Sequence, residues 1–322
     1  MVTAHMRQSV LVLLSRSIDY AGMFPPAALP LGEAAAHYAA LLAGSERWML
    51  GRFVCPAMRV SELGSLRAAA GSPPTVLAVL GPPAASMDEL VASTLEVRQH
   101  LQPLLGGGGL AVDQYEVPLP AAVIAGGAQA VAEAAGAVTG ALAAPRRMLV
   151  ALEAPIAGSP PAVLDEVIQG LASANQASPA TPVCLKVRCG GATAAAIPTG
   201  EELANVVALG RDHGVLIKAT QGLHHPLRHQ DETLGCPAHG FLNLFAAAVL
   251  ARTHGFDGHR LAEVLADEDP ASFVFTDSAF AWRDHPASLE ALAAARRFGV
   301  TSFGSCSVEE PLAGLRSLGL LE

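Results

Sequence analysis

The stretch "VCLKVRC", residues 183–189, decides how this chain folds, together with "VLIKAT", residues 215–220. Successive side chains of a strand point to opposite faces. Val183, Leu185 and Val187 therefore share one face, and Cys184, Lys186 and Arg188 the other. In the second stretch Val215, Ile217 and Ala219 alternate with Leu216, Lys218 and Thr220. A face packed on helices must be apolar, so the apolar sets are assigned outward and both lysines inward. Neighbouring strands of this kind would bring two ammonium groups within reach of one another.

Working outward, similar short apolar runs recur along the chain: "VLVLLS", "WMLGRFV", "TVLAVLG", "AVDQYEV", "RMLVALEA" and "GVTSFGS". Ala- and Leu-rich stretches such as "LGEAAAHYAALLAG" and "TGEELANVVALGRDHG" lie between them and carry a helical pattern. Thr199 and Glu202 form a capping-box pair, and Gly214 stands where a helix ends. Eight strand–helix units predict an α/β fold, a closed parallel (β/α)8 barrel, as a single domain over residues 1–322. No glycine-rich dinucleotide or P-loop signature supports an open sheet. "SFVFTD", residues 272–277, has strand character. The long interval before the last strand is expected to hold extra helices and a loop over one barrel mouth. "GGGG", residues 106–109, is taken as a helix-to-strand turn.

Composition narrows the function. Apolar residues make up 51% of the 322 residues and charged residues 15%, which suits a large buried core. The net charge of −9 argues against nucleic-acid binding. Five cysteines without regular spacing point to reduced thiols and a cytoplasmic setting. The weakly charged stretch from Val117 to Pro145 is broken by prolines and glycines, so it is assigned to a strand end, a loop and a buried helix and not to a membrane span. No cofactor motif is present, and a homo-oligomer is compatible with this composition.

Barrels of this kind place their chemistry at the carboxyl ends of the strands. The charged residues fall there: Asp19 after strand one, Arg52 on strand two, Glu116 on strand four, Glu153 on strand five, Lys186 and Arg188 on strand six, Lys218 on strand seven. A neighbouring cation and a dry site both lower a lysine's pKa and free the amine for imine formation. The alternative is a structural ion network in which each lysine pairs with Glu116 or Glu153. Arg52 and Arg188 suit a bidentate carboxylate or phosphate group of a small anionic substrate. Thr220 joins them on the inner face, and "DYAGMFPPA", from Asp19, suits a shaped loop over the mouth.

These segments resemble the class I aldolases of the deoxyribose-phosphate aldolase type, which are TIM barrels. That family carries a lysine at the end of strand six followed shortly by a glycine, as in "CLKVRCGG", and one at the end of strand seven followed by a small residue and glycine, as in "IKATQGL". The resemblance implies that Lys186 is the Schiff-base lysine and Lys218 its pKa-lowering partner. It implies that Glu116 replaces an aspartate, and that Gly304, Ser305 and Ser307 of "FGSCS" bind phosphate. The activity implied is a carbon–carbon lyase acting on a small carbonyl compound.

The loop after strand seven, "GLHHPLRHQDETLGCPAH", holds His224, His225, His229, Cys236 and His239. None of the known zinc-finger spacings is present, so no metal site is assigned. His224 or His225 is expected beside the lysine as acid, base or hydrogen-bond donor, with a structural role as the alternative. A metal-dependent lyase or isomerase using Glu116, Glu153 and a loop histidine stays open, as does a non-catalytic ligand-binding barrel. Cys189 and Cys306 lie at strand ends, where they are either reactive or simply buried. Glu309 and Glu310 open the last helix and complement its dipole.

Overall fold

Thirteen strands organise the computed structural model, which describes residues 6–71, 73–104, 109–143 and 148–321. In chain order they are β1 (Ile18–Tyr20), β2 (Leu50–Pro56), β3 (Thr75–Leu80), β4 (Leu110–Pro118), β5 (Leu149–Glu153), β6 (Val183–Arg188) and β7 (Leu216–Thr220), then β8 (His229–Asp231), β9 (Cys236–Ala238), β10 (Phe273–Phe275), β11 (Ala279–Trp282), β12 (His285–Ser288) and β13 (Val300–Ser305). Eight of them close a barrel in the order β1-β13-β7-β6-β5-β4-β3-β2, and this is the expected α/β TIM-type barrel. The chain divides into two compact units, residues 19–154 with 160–186, and residues 1–18 with 155–159 and 187–322.

In the first unit the outward face of each strand is read from its helix contacts. Tyr20 and Phe53 pack with Tyr38 of the helix Leu31–Ala43, and the Tyr115 hydroxyl lies 3.4 Å from that of Thr94 on the helix Met87–Leu101. By the period of two, Asp19, Arg52, Gln114 and Glu116 then face inward. The register of β3 against β4 slips by one residue between Leu77 and Ala78, which leaves Asp113 unpaired in a bulge. Residues 117–143 form the strand end and the helices Ala121–Ala125 and Gly127–Leu142, and among the described residues no helix is long and apolar enough to cross a membrane.

The second unit shows the same logic. Ile217 of β7 lies against Gly210 of the helix Gly200–His213, and Phe303 of β13 stacks on Phe241 of the helix Phe241–Thr253. Leu216, Lys218 and Thr220 therefore face inward. The capping box of Thr199 with Glu202 is present, and Gly214 ends that helix at φ +68°.

Three expectations need correction. "VLVLLS" is no strand: Gln8–Leu14 is a helix, because Val10, Leu13 and Leu14 bury one side at helical spacing. That helix packs on the helix Leu289–Phe298 and on β11, and Ser9 donates its backbone N–H and its hydroxyl to the Thr276 carbonyl. The true first strand is Ile18–Tyr20, so Asp19 and Tyr20 are fully buried strand residues and not part of a loop. Arg52 does not end its strand; four residues of β2 follow it. The interval before β13 contains, besides helices, an antiparallel sheet β10-β11-β12 where a loop was expected, with Trp282 fully buried in it. Gly106, Gly107 and Gly108 of the expected turn lie outside the described residues, while Gly109 sits at φ +79° directly before β4.

Candidate active site

Glu153, the last residue of β5, is the register partner of Lys186 on β6, and Glu116 stands two positions before the end of β4. Lys186 Nζ lies 2.7 Å from Glu116 Oε2 and 2.9 Å from Glu153 Oε2. All three side chains are buried. Burial alone would lower the Lys186 pKa, yet the two carboxylates outweigh it and hold the ammonium above the ordinary lysine value. The lowered pKa anticipated for this lysine is therefore corrected.

Gln114 is a functional candidate that sequence reasoning missed. Its amide Nε2 donates to Glu116 Oε1 at 2.6 Å, which fixes the carboxylate so that its other oxygen meets Lys186. Its own Oε1 is buried without a partner, an acceptor left open beside the ion cluster. The signal was available: Gln114 precedes Glu116 by two residues and so shares its face.

Arg52 is occupied by protein carboxylates. Its Nη1 is 3.5 Å from Asp19 Oδ1, its backbone N–H donates to the same oxygen at 2.9 Å, and its Nε donates to Asp113. Burial works against the guanidinium charge, but Asp19 and Asp113 more than restore it and raise its pKa above the usual arginine value. Asp113, which the sequence reading passed over, thus completes an acidic clamp.

In the other unit, Lys218 is almost fully buried at the third position of β7. Thr220 is the register partner of Gly304 on β13, and a Cβ at Gly304 would come within 2.8 Å of Thr220 Oγ1. Arg188, the last residue of β6, is exposed. The glycines that follow the two lysines have a packing cause of their own: a Cβ on Gly190 would lie 2.6 Å from Gly222 Cα, and one on Gly222 2.7 Å from Gly190 Cα. Cys189, between Arg188 and Gly190, is buried and its thiol is pushed up to about 12.

The two serines assigned to phosphate have protein partners. Ser305 donates its hydroxyl to the Ser307 carbonyl, while Ser307 Oγ donates to Glu309 and accepts from the Glu310 N–H at 3.2 Å. These bonds belong to the N-terminus of the helix Glu309–Ser317, where Glu309 also accepts the Val308 N–H. Two exposed carboxylates at that helix end repel a second anion.

The histidines of the loop are held separately. His224 Nδ1 lies 2.7 Å from Glu310 Oε2, and its Nε2 lies 4.0 Å from Cys306 Sγ. The His225 ring is 4.1 Å from that of His229, and His229 Nδ1 contacts the Leu227 carbonyl. His239 is buried with Nε2 donating to the Pro198 carbonyl, and Cys236 lies on the β9 hairpin strand. Among the described residues, no group of three or more His, Cys, Asp and Glu side chains is placed to hold a metal ion.

No protein-family model and no curated protein matches the chain. Solved structures do. A tetrameric deoxyribose phosphate aldolase from Aeropyrum pernix is similar over 97% of this chain and 96% of its own, with a TM-score of 0.51 and 12% identity. An aldo-keto reductase from Bombyx mori in complex with NADP covers 88% of this chain and 89% of its own at a TM-score of 0.29 and 14% identity, too low to bear on the fold. The chain thus carries a closed parallel eight-stranded barrel that resembles, in fold, the barrel of deoxyribose-phosphate aldolase.

Proposed function

We propose that the chain is a carbon–carbon lyase that works through an imine between Lys186 and a small carbonyl compound. The observation that carries this reading is the buried Lys186 amine between two carboxylates, at the strand ends where such barrels do their chemistry. Glu116 and Glu153 have complementary uses. One takes the proton that the ammonium must shed before its lone pair attacks the carbonyl carbon. The carbinolamine then loses its hydroxyl as water, with that proton returned from the carboxylic acid. A carboxylate then takes the proton of the substrate's β-hydroxyl as the carbon–carbon bond breaks, the aldehyde fragment leaves, and the electron pair enters the iminium to give an enamine. That carboxylic acid reprotonates the enamine carbon, and water hydrolyses the iminium to free the product and the Lys186 amine. Gln114 holds Glu116 in position and offers its open oxygen to a substrate hydroxyl.

The raised pKa of Lys186 favours a second reading, in which the cluster is a structural ion network of a non-catalytic ligand-binding barrel. One experiment separates the two. The protein is incubated with a panel of small aldehydes and ketones, reduced with borohydride and digested, and the lysine peptides are weighed. A reduced adduct on Lys186 is expected. An adduct on Lys218 alone moves the imine to β7, and no adduct with any carbonyl compound leaves the structural reading.

A further inference from the structure

Cys306, His224 and Glu310, none of which the imine reading uses, form a contiguous cluster. Glu310 Oε2 accepts the His224 Nδ1–H at 2.7 Å, which fixes the tautomer and leaves Nε2 as the nitrogen that faces the thiol. That nitrogen is 4.0 Å from Cys306 Sγ. The order carboxylate, imidazole, thiol is the order in which a nucleophilic cysteine is activated: the base takes the S–H proton and a third group orients the base. The thiol itself is buried, His224 is part-buried and Glu310 is exposed, so the cluster opens toward the surface through the imidazole.

We propose that Cys306 is a nucleophilic thiolate, activated by His224 and oriented through Glu310, that adds covalently to small uncharged electrophilic carbonyl compounds such as α,β-unsaturated aldehydes. The step balances without an oxidant. The Cys306 proton passes to His224 Nε2, sulfur bonds to the β-carbon, and the π electrons move onto the carbonyl oxygen. The imidazolium then protonates the α-carbon, giving a thioether aldehyde. The neighbourhood sets the class of electrophile. A buried sulfur admits only a slim reagent, and the exposed carboxylates of Glu309 and Glu310 disfavour anionic ones.

The surrounding charges agree with this assignment. The Cys306 contact first, and Glu310 after it, raise the His224 pKa against the effect of burial, which favours the imidazolium of an ion pair. His225 also senses Glu310 and His224, and partial burial first, with His229 second, holds it toward its neutral form. Burial pushes the thiols of Cys55 and Cys189 up to about 12, and neither has an imidazole in contact among the described residues. Cys236, half-exposed, is the internal control.

The test is competitive alkylation of the full chain with limiting iodoacetamide and, separately, 2-butenal, followed by peptide mass spectrometry. At pH 6.5, an ordinary thiol is about 1% ionised, so a thiolate–imidazolium pair should make Cys306 react about ten-fold or more faster than Cys236. Iodoacetate, being anionic, should discriminate less in its favour. His224→Gln should bring Cys306 down to the rate of an ordinary thiol. Glu310→Gln, an exposed change that leaves the fold alone, should slow it by a few-fold. Labelling of Cys306 no faster than Cys236, or a Cys306 rate unchanged in both variants, would overturn the proposal. The readout is independent of the imine reading, which can fail while this one stands.

Discussion

Glu153 and Lys186 face each other directly across β5 and β6, and their charged atoms lie 2.9 Å apart in a buried setting. Glu116 approaches the same ammonium at 2.7 Å from the next strand but one. Lys186→Ala would leave two buried carboxylates facing one another without a cation. The expected cost is about 3–5 kcal/mol at neutral pH, since breaking a buried ion pair strands an uncompensated charge. Urea unfolding measures it, and a loss below about 1 kcal/mol would show that solvent already screens the cluster.

The same cluster sets an alkaline limit. Lys186 holds its proton more tightly when folded than when unfolded, so its contribution to stability is fully present below the unfolded lysine pKa of 10.5. It is lost as pH rises through the higher folded value. Wild-type protein and Lys186→Met should therefore converge in stability above that range. Unfolding curves recorded from pH 9 to 12 test this, and a gap that widens with pH contradicts it.

Adjacent histidines should titrate in opposite directions. Cys306 and Glu310 raise His224, so the stability it brings is present below the ordinary histidine pKa of 6.5 and lost as pH rises through the folded value. For His225, partial desolvation first and His229 second lower the pKa. Its contribution is present above 6.5 and is lost as pH falls through the folded value. Imidazole resonances followed by NMR between pH 5 and 8 should show His224 titrating above His225. The reverse order refutes the loop geometry.

Gly304→Ala should be repaired by a second substitution. The new methyl would meet Thr220 Oγ1 at 2.8 Å, and overpacking of this kind costs about 1–3 kcal/mol. Thr220→Ala removes the obstructing oxygen, so the double variant should be more stable than the two single losses added together. Strict additivity in the unfolding free energies would mean that the strands simply move apart.

Most of the barrel was legible because its strands are short apolar runs whose period of two shows directly in the residues. Val183 to Val187 could be placed face by face before any coordinates. The same rule misread "VLVLLS", since a run of five apolar residues has no period at all and only packing reveals that Val10, Leu13 and Leu14 form a helical side. The pairing of Lys186 with Glu116 and Glu153 was among the readings the residues allowed. Its consequence for the amine was not legible, because a pKa depends on which charges come within 3 Å, and spacing along one strand does not give distances between strands. Asp113 escaped notice because a register slip, invisible in sequence, turns it toward Arg52.

The contact between Gly190 and Gly222 reaches beyond packing. The backbone after β6 and the backbone after β7 touch with no room for a side chain on either, and the Cys189 N–H donates to the Thr220 carbonyl at 2.8 Å just before they meet. Neither segment can be lengthened, shortened or recoded at that point without disturbing the other. Selection, or a designer's library, must treat the two as one hinge-less unit there. New specificity is more readily sought where chain is not so fastened, as at the half-exposed hairpin of β8 and β9, whose tip from Glu232 to Gly235 turns in solvent and can accept insertions.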